Sequence, residues 1–385
     1  MIRSLFFMLI LLSCNTIYAQ KSGKAVVLWQ QSIDTKKYQG TTFFDVDKNG
    51  NSYLLNRGYY DSIYTIIRFD KTGKREFDDS IYFKDLTDFK CDNNDILLVQ
   101  PRTISRFSSD FKHKLWAFSD SATVNYSICR GRNSLWVMGI YTATPQLAGK
   151  NVNDLREYSP LLVYNLSNEG KLNNSCLLDI EGSVQEIYCV EDSMENILVD
   201  VNTVILKGPD HHDINLYYIK KGSLPAWSKR FMGGGELTHL WVNSIVADRG
   251  YYIMSGNSDD TINFESNARP DTTFQRNASF VFRMKYDSEW YDFAGLEQTS
   301  TEDFSSYPSL MIAPYSNHKV VVVNDKSILL ESDDGRLLGK YDFNSGDYGD
   351  LSKIKFSEPD ETLYLFFSAG EYYAYKMNIL KIKLQ

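Results

Sequence analysis

Proline is scarce in this sequence, with 9 in 385 residues, and glycine numbers only 23. A collagen-like repeat and a Pro/Gly-rich disordered chain are both excluded. Cysteine is equally sparse at 5, with no Cys-x-x-Cys pair and no clustered Cys/His spacing of the kind that builds a structural metal site. Beyond the first twenty residues no apolar run reaches the roughly 18 residues that cross a bilayer as a helix. Positive charge is outweighed, 41 Lys plus Arg against 49 Asp plus Glu for a net charge of −8. Without a basic block there is no platform for phosphate neutralisation, so nucleic acid is not an expected partner. No segment carries the sustained i, i+3, i+4 apolar period of a long helix. What is abundant is aromatic: 26 Tyr and 22 Phe, side chains that suit the half-buried pleated surface of a strand.

The first residues read as an address. Arg3 supplies a positive start and Leu5 to Leu12 a short apolar run, the plan of an export signal. Ile17-Tyr18-Ala19 before Gln20 offers an ordinary signal-peptidase site, giving a 1–19 signal and a mature domain over 21–385. Leu11-Leu12-Ser13-Cys14 also resembles a lipobox, which would leave Cys14 as a lipidated N-terminus. Both readings send the protein to the periplasm, cell surface or medium, with a lipid anchor as its one expected membrane contact. Of the remaining cysteines, Cys91, Cys129 and Cys189 sit in strand-like runs where other segments carry Val46 or Val246. They read as small buried hydrophobes ahead of a disulfide.

A unit of about 50 residues recurs, the kind of period that marks propellers and other arrays. Ile66 to Lys74, Leu162 to Lys171 and Leu329 to Arg336 each run from a strand into a polar turn ending in Gly plus a basic residue. Asx side chains tolerate the bent backbone there and Gly supplies positive φ. A second recurring piece is a strand with one tryptophan, at Trp29, Trp116, Trp227 and Trp290. Laid on a four-strand unit, the chain divides into segments 41–83, 86–118, 123–178, 184–231, 240–293, 309–343 and one from 352. That is an all-β, single-domain β-propeller, best counted as seven blades, with six or eight as alternatives. The last unit ends one strand short, and the orphan strand around Trp29 is expected to complete it, which would pair the termini and remove an open edge.

Phe44-Asp45-Val46-Asp47-Lys48-Asn49-Gly50-Asn51-Ser52-Tyr53, followed by Asp70-Lys71-Thr72-Gly73-Lys74, resembles exported bacterial β-propeller repeats of the form D-x-x-G-N-x-Y … D-x-x-G. The resemblance is sharp over the first unit. It implies a propeller and, for such families, a role in binding carbohydrate, protein or cell surface; it carries no catalytic residue over.

Chemistry-bearing motifs are thin. Asp45-x-Asp47-x-Asn49-Gly50 opens like a calcium loop, but the twelfth position is Asn56 where a bidentate Glu belongs, and an ordinary turn is the better reading. His211-His212-Asp213 invites metal ligation, yet adjacent residues on an extended chain point to opposite faces, so a solvated loop is expected. Asp333-Asp334-Gly335 lacks the flanking residues of a sialidase Asp box, with Glu331 and Leu338 in their places. No Gly-x-Ser-x-Gly elbow or phosphate-cradling loop is present. No catalytic residue, metal or cofactor is therefore assigned. The long polar segments 141–159 and 257–277 stand out instead, since unstructured loops over about 15 residues tend to be functional. Arg156, Tyr158, Phe264, Arg269 and Phe274 within them are of the types enriched in binding hot spots and are the expected ligand contacts. The function expected is a non-catalytic binding or scaffold module for a protein or carbohydrate; the alternative is a polysaccharide hydrolase or lyase on the same scaffold.

Overall fold

A computed structural model describes residues 21–34, 42–57, 63–83, 85–92, 95–121, 123–141, 160–205, 211–221, 225–233, 240–248, 250–258, 262–264, 278–286, 291–295, 310–316, 319–323, 327–332, 335–344, 348–369 and 376–385. Pairing sorts nearly all its strands into antiparallel quartets. Blade 1 comprises Thr42–Val46, Ser52–Arg57, Ile63–Phe69 and Arg75–Tyr82, from innermost to outermost. Blade 2 comprises Asp88–Asp92, Asp95–Gln100, Thr103–Ser108 and Lys114–Ser119. Thr123–Arg130, Ser134–Tyr141, Leu161–Ser167 and Leu172–Leu178 form blade 3. Blade 4 holds Ser183–Glu191, Ile197–Ile205, His211–Ile219 and Pro225–Gly233, and blade 5 holds Leu240–Asp248, Tyr251–Ser258, Ala278–Lys285 and Tyr291–Gly295. Met311–Tyr315, Lys319–Val323, Ser327–Ser332 and Leu337–Asp342 make blade 6. Blade 7 takes Asp350–Ser357, Thr362–Ala369 and Lys376–Leu384 from the C-terminus and its outermost strand, Lys21–Asp34, from the N-terminus.

The innermost strands touch in order from blade 1 to blade 7, and blade 7 touches blade 1, so the ring is closed. Apolar side chains then have one place to go, the seams between blades. Seven buried clusters occupy those seams. Phe44, Leu54, Phe69, Tyr364 and Ile379 fill the seam between blades 7 and 1, and Leu97, Ile128, Val137 and Leu166 the seam between 2 and 3. Strands with seams on both sides read as unbroken apolar runs, which a strand covered on two faces requires. Ile197–Ile205 is buried at eight of its nine positions, and Val320 to Val323 are fully buried. Outermost strands such as Arg75–Tyr82 are mostly exposed.

Closure is made by the first strand. Lys21–Asp34 pairs antiparallel with Lys376–Leu384, Trp29 opposite Lys381, and its first residues pair parallel with Leu337–Asp342 of blade 6. The recurring turns are built by one device. An acceptor side chain takes the amides two and four residues ahead: Asp70 takes those of Thr72 and Lys74 at 2.8 and 2.9 Å, and Ser167 those of Glu169 and Lys171 at 3.2 and 3.3 Å. Asp47 does the same for Asn49 and Asn51, both at 2.9 Å, so the calcium-like opening is a turn whose carboxylate is filled by N–H donors. Two of the tryptophans seat on these turns from the preceding blade. The Trp29 indole donates to the Lys71 carbonyl at 3.1 Å and the Trp116 indole to the Asn168 carbonyl at 2.9 Å. Gly73 and Gly170, at φ +84° and +76°, lie so close that a Cβ would sit 2.7 and 2.6 Å from the respective indole.

Two expectations are corrected. His211-His212-Asp213 begins a blade 4 strand instead of a solvated loop, and Asp213 is fully buried, paired with Arg230 at 2.5 Å. The segment 257–277 is not wholly a loop: Ile262–Phe264 is a short strand added to the outer edge of blade 4, with Phe264 opposite Phe231. It covers part of an edge that would otherwise stand open.

The tryptophan seat generates a comparison of glycines. At Gly250, also at positive φ, an added Cβ would meet nothing within 4 Å. Gly250→Ala is expected to cost about 1–2 kcal/mol from backbone conformation alone, and Gly73→Ala about 1–3 kcal/mol more from displacing Trp29. Urea denaturation of both variants reads the difference; equal midpoints would show that Trp29 does not depend on this seat.

Candidate functional site: the axial channel

Of the residues expected to bind ligand, Arg156, Tyr158, Arg269 and Phe274 lie outside the described residues, as does Cys14. Phe264 is placed by its backbone in the edge strand of blade 4. The charged chemistry that the structure does assemble is elsewhere, on the innermost strands around the axis.

An innermost strand has a free edge, and its N–H groups must find acceptors. Neighbouring blades supply them. The Asp45 carboxylate of blade 1 accepts from the Cys91 amide of blade 2 at 2.9 Å. Asp88 of blade 2 accepts from the Ile128 amide of blade 3 at 2.9 Å and from the Ser127 hydroxyl at 3.3 Å. Asn202 takes the Val242 amide across the blade 4–5 seam at 3.2 Å, and the Ser244 hydroxyl oxygen takes the Ile312 amide across the 5–6 seam at 3.0 Å. Short polar side chains therefore lace the ring together around its axis.

Three lysines share this region with the two aspartates. Lys355 of blade 7 contacts Asp45 at 2.9 Å as a charge pair, and Lys90 of blade 2 stands 3.9 Å from Asp88. Lys353 is the third. Among the described residues no carboxylate lies within ion-pair distance of its ammonium, leaving three cations against two anions. The electrostatic consequences are large. Burial would raise the Asp45 carboxyl, but Lys355, Lys353 and Lys90 together hold it down at about 2. Burial works against charge on Lys90, yet Asp88 and Asp45 outweigh it and hold the ammonium above its ordinary range. For Lys353 burial and the neighbouring Lys90 act together, with Asp45 opposing, and its ammonium is lowered to about 7.

Thiols complete the surroundings. Burial, then Asp45 and Asp47, push the Cys91 thiol well up, and burial with a hydrogen bond to Cys129 does the same for Cys189. All four described cysteines are free. On the far side, Asp200 is fully buried between blades 4 and 5 with neither carboxylate oxygen hydrogen-bonded among the described residues. Burial and nearby Glu186 push its carboxyl well above the ordinary range.

Sequence reasoning missed the lysines. The available signal was a charge inside an otherwise apolar innermost strand, Phe89-Lys90-Cys91 and Lys353-Ile354-Lys355, at the same place in the repeat. Chemically, the arrangement can receive an anion at Lys353, while the carboxylates are already engaged by amides and lysines. Among the described residues no group of three or more His, Cys, Asp or Glu is arranged to hold a metal ion.

No protein-family model and no curated protein matches the sequence. Solved structures do match in shape. The chain is similar to the WD40 domain of Pan2 from Neurospora crassa, at 10% identity over 93% of this chain and 96% of that one, with a TM-score of 0.53. It is similar also to a chain of the mitotic checkpoint complex, at 9% identity over 91% and 90% with a TM-score of 0.51. At these identities the likeness shows the fold, and the fold is a β-propeller.

The shift of Lys353 has a measurable sign. Its folded-state value is below the unfolded one, so the unfolded chain binds the extra proton between about pH 7 and the ordinary lysine range, and stability rises with pH through that window. The cost of burying the ammonium is therefore fully present below about pH 7. Lys353→Met is expected to stabilise the protein at pH 6 by on the order of 2 kcal/mol, with the gain shrinking towards pH 10. Chemical denaturation at the two pH values checks this; a gain that is the same at both would rule out charge burial as its cause.

Proposed function

We propose that this protein is an exported, non-catalytic β-propeller of the bacterial repeat type that works as a binding or scaffold module, receiving an acidic group of its partner at the axial channel. The carrying observation is Lys353, a half-buried ammonium beside Lys90 and Lys355 with no carboxylate within ion-pair distance among the described residues. Burying a charge without a partner is costly, and an incoming carboxylate relieves that cost by supplying one. The engaged state of Asp45 and Asp88, each holding an amide of the next blade, supports binding over acid–base turnover, because neither is free to exchange protons with a substrate. The fold likeness to a chain of a multiprotein complex supports a scaffold role. Export, by signal-peptidase cleavage after Ala19 or by lipidation at Cys14, belongs to this reading, and the long segments containing Arg156, Tyr158, Arg269 and Phe274 are its proposed outer contacts.

Titration calorimetry with an oligouronate and with an acidic peptide tests the proposal. Saturable binding of at least one, without chemical change, is expected at pH 6. Lys353→Met should weaken it about tenfold or more, the worth of roughly 1.4 kcal/mol, and binding to the parent protein should fade as pH rises through about 7 and the ammonium deprotonates. Affinity unmoved by Lys353→Met would overturn the axial site, and turnover of the oligouronate would overturn the non-catalytic reading.

A further inference from the structure

Strand alternation decides which seam each innermost side chain enters. In blade 3, Ile128 packs into the seam with blade 2, among Leu97, Val99 and Val137. Its neighbour Cys129 must then face the opposite way, and it lies in the cluster between blades 3 and 4. In blade 4 the same alternation sends Tyr188 and Val190 towards blade 5, while Ile187 and Cys189 face blade 3. Cys129 and Cys189 thus stand on adjacent innermost strands and point into one seam from its two sides. Both side chains pack in the one cluster there, and the innermost strands that carry them are in contact. Cys91 and Cys176 are placed differently. Cys91 packs in the cluster between blades 1 and 2, and Cys176 belongs to the outermost strand of blade 3, away from the axis.

We infer that Cys129 and Cys189 are a redox pair that closes to an inter-blade disulfide, a covalent modification site at the axial end of the blade 3–4 seam. Two thiols facing one packed seam from its two sides form the bond when their sulfurs meet at about 2.05 Å. The oxidant is a small-molecule disulfide. The thiolate of Cys189, the less buried of the two, attacks one of its sulfurs, breaking that S–S bond, releasing one thiolate and leaving a mixed disulfide. The Cys129 thiolate then attacks the Cys189 sulfur, forms the Cys129–Cys189 bond and releases the second thiolate. Two electrons pass to the oxidant, the two cysteines give up two protons, and the oxidant leaves as two thiols. Burial disfavours the Cys189 thiolate, whereas the Lys90 ammonium favours it. The closure is therefore slow at neutral pH and faster in mild alkali. Its consequence is mechanical: two blades joined by the chain connection, by packing and by hydrogen bonds from Arg132, Ser134 and Trp136 to Glu191 gain a covalent tie at the axial end of their seam.

The test uses the full chain incubated with oxidised or reduced glutathione, then alkylated in denaturant, digested and read by mass spectrometry. Expected is a single linked peptide pair joining Cys129 to Cys189, reversed by dithiothreitol, with Cys91 and Cys176 alkylated throughout and a higher thermal midpoint for the oxidised form. Cys129→Ala is expected to leave Cys189 held as a glutathione mixed disulfide. Full alkylation of both residues after oxidation, or linkages scattered among other pairs in comparable yield, would overturn the inference, and either result is read on the unmutated protein.

Discussion

The whole architecture rests on one strand being supplied by the wrong end of the chain. Blade 7 has three strands of its own, and Lys21–Asp34 completes it by antiparallel pairing along Lys376–Leu384. Within blade 7 no chain connection joins Lys376–Leu384 to Lys21–Asp34, so the ring is shut there by strand pairing and by contacts across the seam to blade 1. Three side chains on the two paired strands reach across it to one turn of blade 1. Trp29 and Lys381 both donate to the Lys71 carbonyl, at 3.1 and 3.0 Å, and Gln31 donates to the Gly73 carbonyl at 2.9 Å. Lys381 is almost wholly buried, paired with Asp360 and lying over the Tyr364 ring. Without closure the seam clusters at that junction face water and blade 7 presents a bare edge. Each other blade is one continuous run of chain; this one is closed by pairing between the two ends of the sequence and by side chains converging on a turn.

That convergence explains how much of the fold is legible in the sequence. The Gly-containing turns and the tryptophan strands stand out as separate recurring pieces because both obey local rules, positive φ at Gly73 and Gly170 and an amphipathic outer strand. Their relationship does not: Trp116 seats on the turn of the next blade, 52 residues on, and nothing local announces it. The orphan strand at Trp29 is legible for a different reason, since counting strands in a repeat exposes a deficit. Asp213 escapes because a buried acid looks in sequence like a surface one until Arg230 is placed beside it. Phe264 escapes because the strand holding it is three residues long and takes its register from blade 4, not from its own neighbours. The axial lysines escape because each strand contributes only one or two, and they become a cluster only when blades 7, 1 and 2 meet.

Charge is concentrated where the fold can least exclude it. Innermost strands leave backbone groups unpaired on the axis, and the acids that satisfy them, Asp45 and Asp88, bring negative charge into a region narrowed by seven blades. Lys90 and Lys355 answer those charges directly. Lys353 overshoots, and the result is a desolvated ammonium lowered to about 7. Asp200 shows the opposite resolution on the far side: with no cation pairing it among the described residues, its carboxyl is pushed well above the ordinary range by burial and Glu186. Packing alone gains nothing from either group, since apolar side chains of similar volume fill such seams at lower cost. Cost concentrated on the axis, beside otherwise well-packed apolar seams, is what separates a site from a core.

The position of that site binds it to closure. Asp45 belongs to blade 1 and Lys353 and Lys355 to blade 7, so the 2.9 Å charge pair between Asp45 and Lys355 spans the very seam that the N-terminal strand must hold shut. A ligand seated on Lys353, as proposed, would contact the side of that seam furthest from Trp29, while Trp29 and Lys381 grip it from the outer strands. Anything that binds the closed ring and not the opened one stabilises it by mass action. Occupancy on the axis and pairing of the termini therefore favour the same state. On the proposed reading the coupling runs in both directions: loosening the seat of Trp29 would weaken the axial site by letting blades 7 and 1 part, and filling that site would resist the parting.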